Sequence, residues 1–183
     1  MQKADLSKFN NSWYNPGASW LTRVMWYCTN TVFFNSYFPF FSFKIFLLRM
    51  YGAKIGQGVV IKPKVNIKYP WNISVGDNAW IGENVWLDSL GKINIGPNSC
   101  ISQGALLITG NHNYKKSSFD LMVGDIILED GVWIGTGAIV CAGVMCKSHS
   151  VLTAGSVATD NLEAYSIYQG IPALKSKDRN ISE

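Results

Sequence analysis

From Ile55 onward an aliphatic residue returns at every sixth position and is often followed by Gly. The units read IGQGVV, IKPKVN, IKYPWN; VGDNAW, IGENVW, LDSLGK; IGPNSC, ISQGAL, LITGNH; LEDGVW, IGTGAI, VCAGVM; and CKSHSV, LTAGSV, ATDNLE. A fixed short period of this kind predicts a solenoid. Position one is aliphatic or small and points inward; position five is mostly small (Val59, Ala79, Ser99, Ala105, Ala138, Val144, Ser150, Ser156), as an inward site beside a corner requires. Positions two to four gather Gly, Asp and Asn, which reach tight-corner conformations without a Cβ clash. Each hexad then supplies one short strand and one corner, three hexads close a triangular coil, and the fifteen hexads make five coils. Coils stacked about 5 Å apart satisfy each other's backbone hydrogen bonds. A β-sandwich would space its strands roughly 8–12 residues apart, which the period of six does not match.

Two extra residues, Ile73-Ser74 and Ile93-Asn94, close the first two coils, and a longer insertion over residues 113–127 follows the third. Extrusions on one side of a regular solenoid commonly serve binding. Residues 1–54 carry no hexads; after an Asn15-Pro16-Gly17 turn they predict two helices. The second has Phe43, Phe46, Leu47 and Met50 at helical spacing and Gly52 as its C-cap. Polar residues from Thr29 to Ser36 and a breaking Pro39 interrupt Val24 to Phe43, so no membrane span is predicted. The chain divides into a helical segment over 1–54, a β-helix over 55–163 and a tail over 164–183.

Composition fits one buried core: 183 residues, 48% hydrophobic and 15% charged. The net charge of +4 raises the question of nucleic acid, but the charge is not evenly spread. Residues 1–54 hold six Lys/Arg against Asp5, giving +5, and residues 55–183 hold ten against eleven acids, giving −1. The repeat is nearly neutral, so no nucleic-acid partner is expected. Aromatic residues with Arg23, Lys44 and Arg49 suit a segment lying at a membrane interface, or else a lid packed on the first coil and a neighbouring subunit. Four cysteines form no C-x-x-C pair and only two histidines exist, which leaves no zinc cage. With no secretory leader in view, a reducing cytoplasmic location is expected, possible contact with the inner membrane face included.

On these residues the chain resembles the left-handed β-helix acyltransferases of the hexapeptide-repeat family, over roughly residues 55–175. LEDGVWIGTGAIVCAGV, then LTAGSVATD and YQGIPA, are similar to the family's final coils and its G-x-P-A tail. FNNSWYNPG, GAKIG and ISQGALLITGNHNY resemble the colanic-acid-biosynthesis acetyltransferase subgroup. The resemblance implies left-handed winding, rare among parallel crossovers, a homotrimer, and acetyl transfer from acetyl-CoA to a saccharide acceptor without a catalytic metal. It makes His112, in TGNH, the catalytic general base, a role imidazole suits because its free base is populated near neutral pH. His149, at a corner in CKSHSV with no insertion beside it, is expected to be exposed and inert.

The resemblance likewise places Trp133, Thr136, Ala154 and Thr159 along the donor channel, with Lys175 and Lys177 near the nucleotide phosphates. Asp160 stands where the family often has Lys. On the acceptor side it points to Asp88 and Ser89 in WLDSLG, and to Asn111, Asn113 and Tyr114 of the insertion. Two alternatives stay open: Asp88 as a turn-capping corner residue, and Trp133 as filler of a trimer seam. No Ser or Cys nucleophile with an adjacent base is apparent, so direct transfer in a ternary complex is expected. The rival readings are acetylation of a small sugar or antibiotic, and a non-catalytic trimeric scaffold.

Overall fold

A computed structural model describes residues 3–182. The hexads wind into a parallel β-helix with three flat faces. The first face stacks Lys54–Ile55, Ile73–Val75, Ile93–Ile95, Ile126–Leu128 and Met145–Cys146. The second stacks Val60–Ile61, Trp80–Ile81, Cys100–Ile101, Trp133–Ile134 and Val151–Leu152, and the third Asn66–Ile67, Trp86–Asp88, Leu106–Ile108, Ile139–Val140 and Val157–Ala158. The expected inward positions fill the interior: Ile61, Ile81, Ile101, Leu107, Ile134 and Val140 are at most 1% exposed, and so are Ala79, Ala105, Ser99 and Ser156.

The fourth hexad position is where the chain turns. Gly58, Gly104, Gly131, Gly137, Gly143 and Gly155 all have φ between +64° and +84°, and Lys64, Asn78, Asn84, Asn98 and His149 occupy the same left-handed region at the equivalent corners. Gly and Asn reach it at little cost. His149 therefore sits at its corner as expected, but its ring is half-buried against Tyr165, 4.8 Å away, and its carbonyl accepts from Arg179. The expectation of an exposed side chain is corrected by this packing.

Five coils were expected, and a sixth, incomplete turn lies on them. Ser166–Gly170 pairs in parallel with Val151–Leu152 and then antiparallel with Ala173–Asp178, while Leu162 bridges to Cys146. The tail thus closes the edge of the last coil, where unpaired strand groups would otherwise be exposed.

The helical segment closes the other end. Helix α1, Trp20–Thr29, is capped by Ser19 and continues as one π-helical turn over Asn30–Phe34; helix α2 covers Phe41–Met50. Both are fastened to the first coil. Trp26 Nε1 donates to the Ile67 carbonyl at 2.9 Å, Asn30 exchanges hydrogen bonds with Asn66 and Ile67, and Arg49 donates to Ile55 at 2.7 Å. The buried face of α2 is Lys44, Leu47 and Leu48, whereas Phe43, Phe46 and Met50 face outward. Of the four residues expected on one helical stripe, Leu47 alone faces the core.

Candidate active site

The insertion after the third coil forms a β-hairpin, Gly110–His112 against Leu121–Val123, projecting from the corner between the third and first faces. His112 ends the first arm opposite Leu121. Its Nδ1 lies 2.9 Å from the Phe119 carbonyl oxygen, and its ring stacks on the Phe119 ring with centroids 4.5 Å apart. A carbonyl oxygen only accepts, so Nδ1 carries the proton and Nε2 is left as the basic nitrogen. Phe119 holds this contact from the left-handed region, φ +52°, an uncommon place for a bulky residue and one often found at functional sites.

His112 opens into a cleft of ≈ 600 Å³. One wall is the hairpin, a second is coil-one and coil-two backbone at Lys68, Tyr69 and Leu90, and a third is the N-terminal arm at Phe9, Tyr14 and Arg23. The arm is anchored along its length. The Asp5 amide donates to the Ser117 carbonyl, Phe9 lies 5.7 Å from the His112 ring, Tyr14 donates to the Leu90 carbonyl, and Trp71 Nε1 donates to the Pro16 carbonyl at 2.6 Å. Burial, with Tyr69 and Asp88 close by, pushes the Tyr14 phenol up to about 12, so it stays neutral in the cleft.

The expected acceptor residues have separate fates. Asp88 is 8% exposed, with Oδ1 3.2 Å from Lys68 Nζ, so it holds one wall residue in place. Ser89 is fully buried; its hydroxyl donates to the Tyr69 carbonyl and accepts from the Tyr69 amide. That hydroxyl is committed, which corrects the expectation of a direct sugar contact: Ser89 positions Tyr69. Asn111 accepts from the His112 amide at 2.7 Å. Tyr114 is 77% exposed on the hairpin turn and lines no part of the cleft, and Asn113 caps the turn by accepting from Lys115.

The expected donor residues lie elsewhere. Trp133 projects from the second face, 47% exposed, and donates from Nε1 to Ser102 Oγ beside a groove of ≈ 450 Å³ that it shares with Trp80 and Gln103. Thr136 stands 3.4 Å from Gln103 at the corner between second and third faces. In that corner column a side chain at Gly104, Gly137 or Gly155 would project into open space, with nothing within 4 Å of its Cβ. The edge is therefore smooth over three coils, with exposed Ala154 on it, whereas Thr159 follows Val157–Ala158 at the opposite border of the third face. Thr159 donates to Asp160. Lys175 is paired with Asp178 at 2.7 Å, which holds its ammonium above the usual lysine range, whereas Lys177 has no ion pair among the described residues. Within one chain the His112 cleft and the smooth edge lie on opposite borders of the third face and share no lining residue.

No family model matches the chain. It is 36% identical over 176 residues to the Escherichia coli K12 protein that carries the name colanic acid biosynthesis acetyltransferase WcaF, covering 96% of this chain and 97% of that one. The chain belongs to the hexapeptide-repeat acetyltransferases. The galactoside O-acetyltransferase of E. coli K12 is 26% identical over 73% of this chain and 68% of its own length. Among solved structures, the hexapeptide-repeat acetyltransferase of Vibrio cholerae complexed with acetyl coenzyme A superposes with a TM-score of 0.81 at 23% identity, over 90% of this chain and 92% of that one. That likeness establishes the left-handed β-helix.

Several residues of this acetyltransferase's cleft escape a sequence reading. Phe119, whose carbonyl fixes the His112 tautomer, lies in the aperiodic insertion, where no spacing rule singles it out. Phe9, Tyr14 and Arg23 reach the cleft from a segment that reads as a cap on the first coil. The available signals for Phe9 and Tyr14 are the aromatic density of the FNNSWYNPG run and its resemblance to the acetyltransferase subgroup, neither of which assigns them to a cleft.

Proposed function

We propose that this acetyltransferase transfers an acetyl group from acetyl-CoA to a saccharide hydroxyl in surface-glycan assembly, as a homotrimer whose sites lie between subunits. The observation that carries the reading is the His112 imidazole, which lines a walled cleft and is held through Nδ1 by the Phe119 carbonyl, so that Nε2 is the free nitrogen. In this geometry Nε2 accepts the proton of the acceptor hydroxyl as its oxygen becomes the nucleophile, and the resulting imidazolium keeps its Nδ1–H bond throughout. Bound acetyl-CoA would supply the thioester electrophile: the carbonyl carbon would pass to the hydroxyl oxygen as its bond to sulfur breaks, and the imidazolium would give its proton to the departing thiolate. The smooth glycine edge suits an extended pantetheine chain, and we assign the donor contacts to Trp133, Thr136, Ala154 and Lys177, whereas Thr159 stands at the other border of the third face. The acceptor lies against Tyr69 and the N-terminal arm, and Asn111 holds the His112 backbone beside it. A positioned general base contributes about two to four powers of ten in rate. His112→Ala should lose that much acetylation, read as thiol release from acetyl-CoA with a panel of saccharides, and His149→Ala should stay within twofold. Equal activity in the two variants removes the mechanism.

Trimer assembly is supported by the outward side chains. On the first face Lys54, Ser74 and Asn94 give way to Ile127 and Met145, whereas the second presents Trp80, Cys100 and Trp133 and the third, after Asn66, Trp86, Leu106 and Ile139. The two apolar faces meet at the glycine edge, so a neighbour's edge docked beside His112 would complete a site that one chain leaves divided. An Ala154→Trp chain blocked at the edge, mixed with a His112→Ala chain, should regain partial activity after verified subunit exchange; none would place each site within one chain.

Contact with a membrane surface is the finer reading of the helical segment. No helix among the described residues is long and apolar enough to cross a membrane. The outward aromatic side chains of α1 and α2 support an interfacial position instead.

A further inference from the structure

The His112 cleft adjoins a second hollow of ≈ 470 Å³ between α1 and the third face, lined by Trp20, Val24, Tyr27 and Trp86. Arg23, Lys68 and Tyr69 line both. At this junction the charges do not balance. Lys68 faces Asp88 Oδ1 at 3.2 Å, a charge pairing without hydrogen-bond geometry, Tyr14 and Tyr69 are phenols, and no carboxylate lines either hollow. Arg23 is left over. Its guanidinium makes no salt bridge and no hydrogen bond among the described residues, and its Nε is buried without a partner. An arginine presents its donors in a fixed fork suited to carboxylate or phosphate oxygens, and a buried donor left unmatched is costly. Its presence at the meeting point of a polar cleft and an apolar hollow calls for an anion there.

We infer that Arg23, supported by Lys68, is an anion subsite of the acceptor pocket, so that the preferred acceptor is a saccharide carrying anionic oxygens beside the acetylated sugar, with its apolar portion along Trp20 and Trp86. The inference deepens the saccharide reading above and rests on it for the reaction, though not for the binding. Two sources supply the same chemistry: the carboxylate of an acidic sugar and the phosphate of a glycosyl phosphate.

Three acceptors built on one sugar separate them: the neutral methyl glycoside, its uronate, and its 1-phosphate. The wild-type enzyme should favour one anionic acceptor over the neutral one in kcat/KM. Arg23→Gln should cut that preference at least tenfold, mainly through KM of the anionic acceptor, and Arg23→Lys should restore part of it. The acceptor that shows the loss identifies the source. A preference unchanged in Arg23→Gln, with both variants folded by circular dichroism, overturns the subsite. A binding measurement keeps the subsite separate from the reaction: calorimetric titration of the uronate and the 1-phosphate into the His112→Ala protein, with and without Arg23→Gln. Arg23-dependent binding of either anion without turnover of any saccharide would sink the acetylation reading and leave the subsite standing; binding indifferent to Arg23 would sink the subsite.

Discussion

In the solenoid the aliphatic side chains turn inward at every coil, and Ile61, Ile81, Ile101 and Leu107 are at most 1% exposed. In the helical segment the large side chains turn outward: Trp20 is 70% exposed, Tyr27 72%, Phe40 65%, Phe46 56% and Met50 64%, while Lys44 is completely covered. The two regions have comparable apolar content to hide and dispose of it in opposite ways. Trp26, Phe34, Leu47 and Leu48 seal the first coil with Phe33, Ile45 and Tyr51 packed partly against them, and the outward aromatic residues Trp20, Tyr27, Phe40 and Phe46 are surplus to that task. Their charge differs as well. From Leu6 to Gly76 the chain has eight Lys/Arg and no acid, whereas acids resume at Asp77. An apolar, aromatic surface surrounded by cations complements a bilayer interface with anionic headgroups; contiguous apolar patches on soluble surfaces generally mark a contact.

The largest effects should come from the few residues where both regions obey the same rule. Trp26→Ala removes the indole packed at 5.2 Å on Phe34 and 5.0 Å on Tyr51, together with its hydrogen bond to Ile67. Ile101→Ala opens a void in the solenoid. Core truncations of these kinds cost about 2–5 kcal/mol, and chemical denaturation should show both losses. Phe46→Ala, by contrast, should change stability by no more than about 0.5 kcal/mol. A Phe46→Ala loss as large as that of Ile101→Ala would mean that the outward aromatic residues are structural after all.

Their contribution should appear at a membrane instead. Transfer of one aromatic side chain from water is worth about 1.5–3 kcal/mol, and each Lys or Arg near anionic lipid about 1 kcal/mol. The double variant Phe40→Ser, Phe46→Ser should therefore lose at least tenfold in sedimentation with vesicles of anionic phospholipid, and added salt should weaken the wild-type protein's binding by screening. Negligible binding to anionic and neutral vesicles alike would return these side chains to a packing role against a neighbouring subunit.

The solenoid was legible because its period fixes burial: with two residues in six forced inward, spacing alone assigns the core. Periodicity cannot do this for α2, where two stripes have equally helical spacing. Phe43, Phe46, Leu47 and Met50 form one, Lys44, Leu47, Leu48 and Tyr51 the other, and the choice between them depends on what lies beneath. The first coil decides it by offering Lys44 a carbonyl. The sixth turn was missed for a related reason, since SIYQG carries no hexad pattern and its pairing depends on an exposed strand edge. In the candidate site, His112 is singled out only through the resemblance of TGNH to the family's pattern, whereas the Phe119 carbonyl that fixes its tautomer and the Arg23 guanidinium across the cleft depend on long-range folding.

Lys44 offers the smallest and most diagnostic test. Its ammonium donates to the Lys62 carbonyl at 3.2 Å and lies 6.0 Å from the Phe34 ring, yet it pairs with no carboxylate among the described residues. Burial disfavours the charged form and lowers its pKa below the ordinary lysine value of 10.5. Below the lowered value the folded protein bears the whole desolvation penalty. Between the lowered value and 10.5 the unfolded chain binds more protons than the folded one, so stability rises with pH across that window. Exchanging a buried charge for an apolar side chain of similar length is commonly stabilising. Lys44→Met should gain about 1 kcal/mol at neutral pH, seen as a rise of about 2–4 °C in Tm for a chain of this size, and the gain should shrink as the pH climbs toward 10.5. A variant less stable than wild type at neutral pH would show that the hydrogen bond to Lys62 outweighs the buried charge. The helical segment would then hold its lysine inside for the same reason that the solenoid holds its aliphatics, because packing at that site is better with it than without.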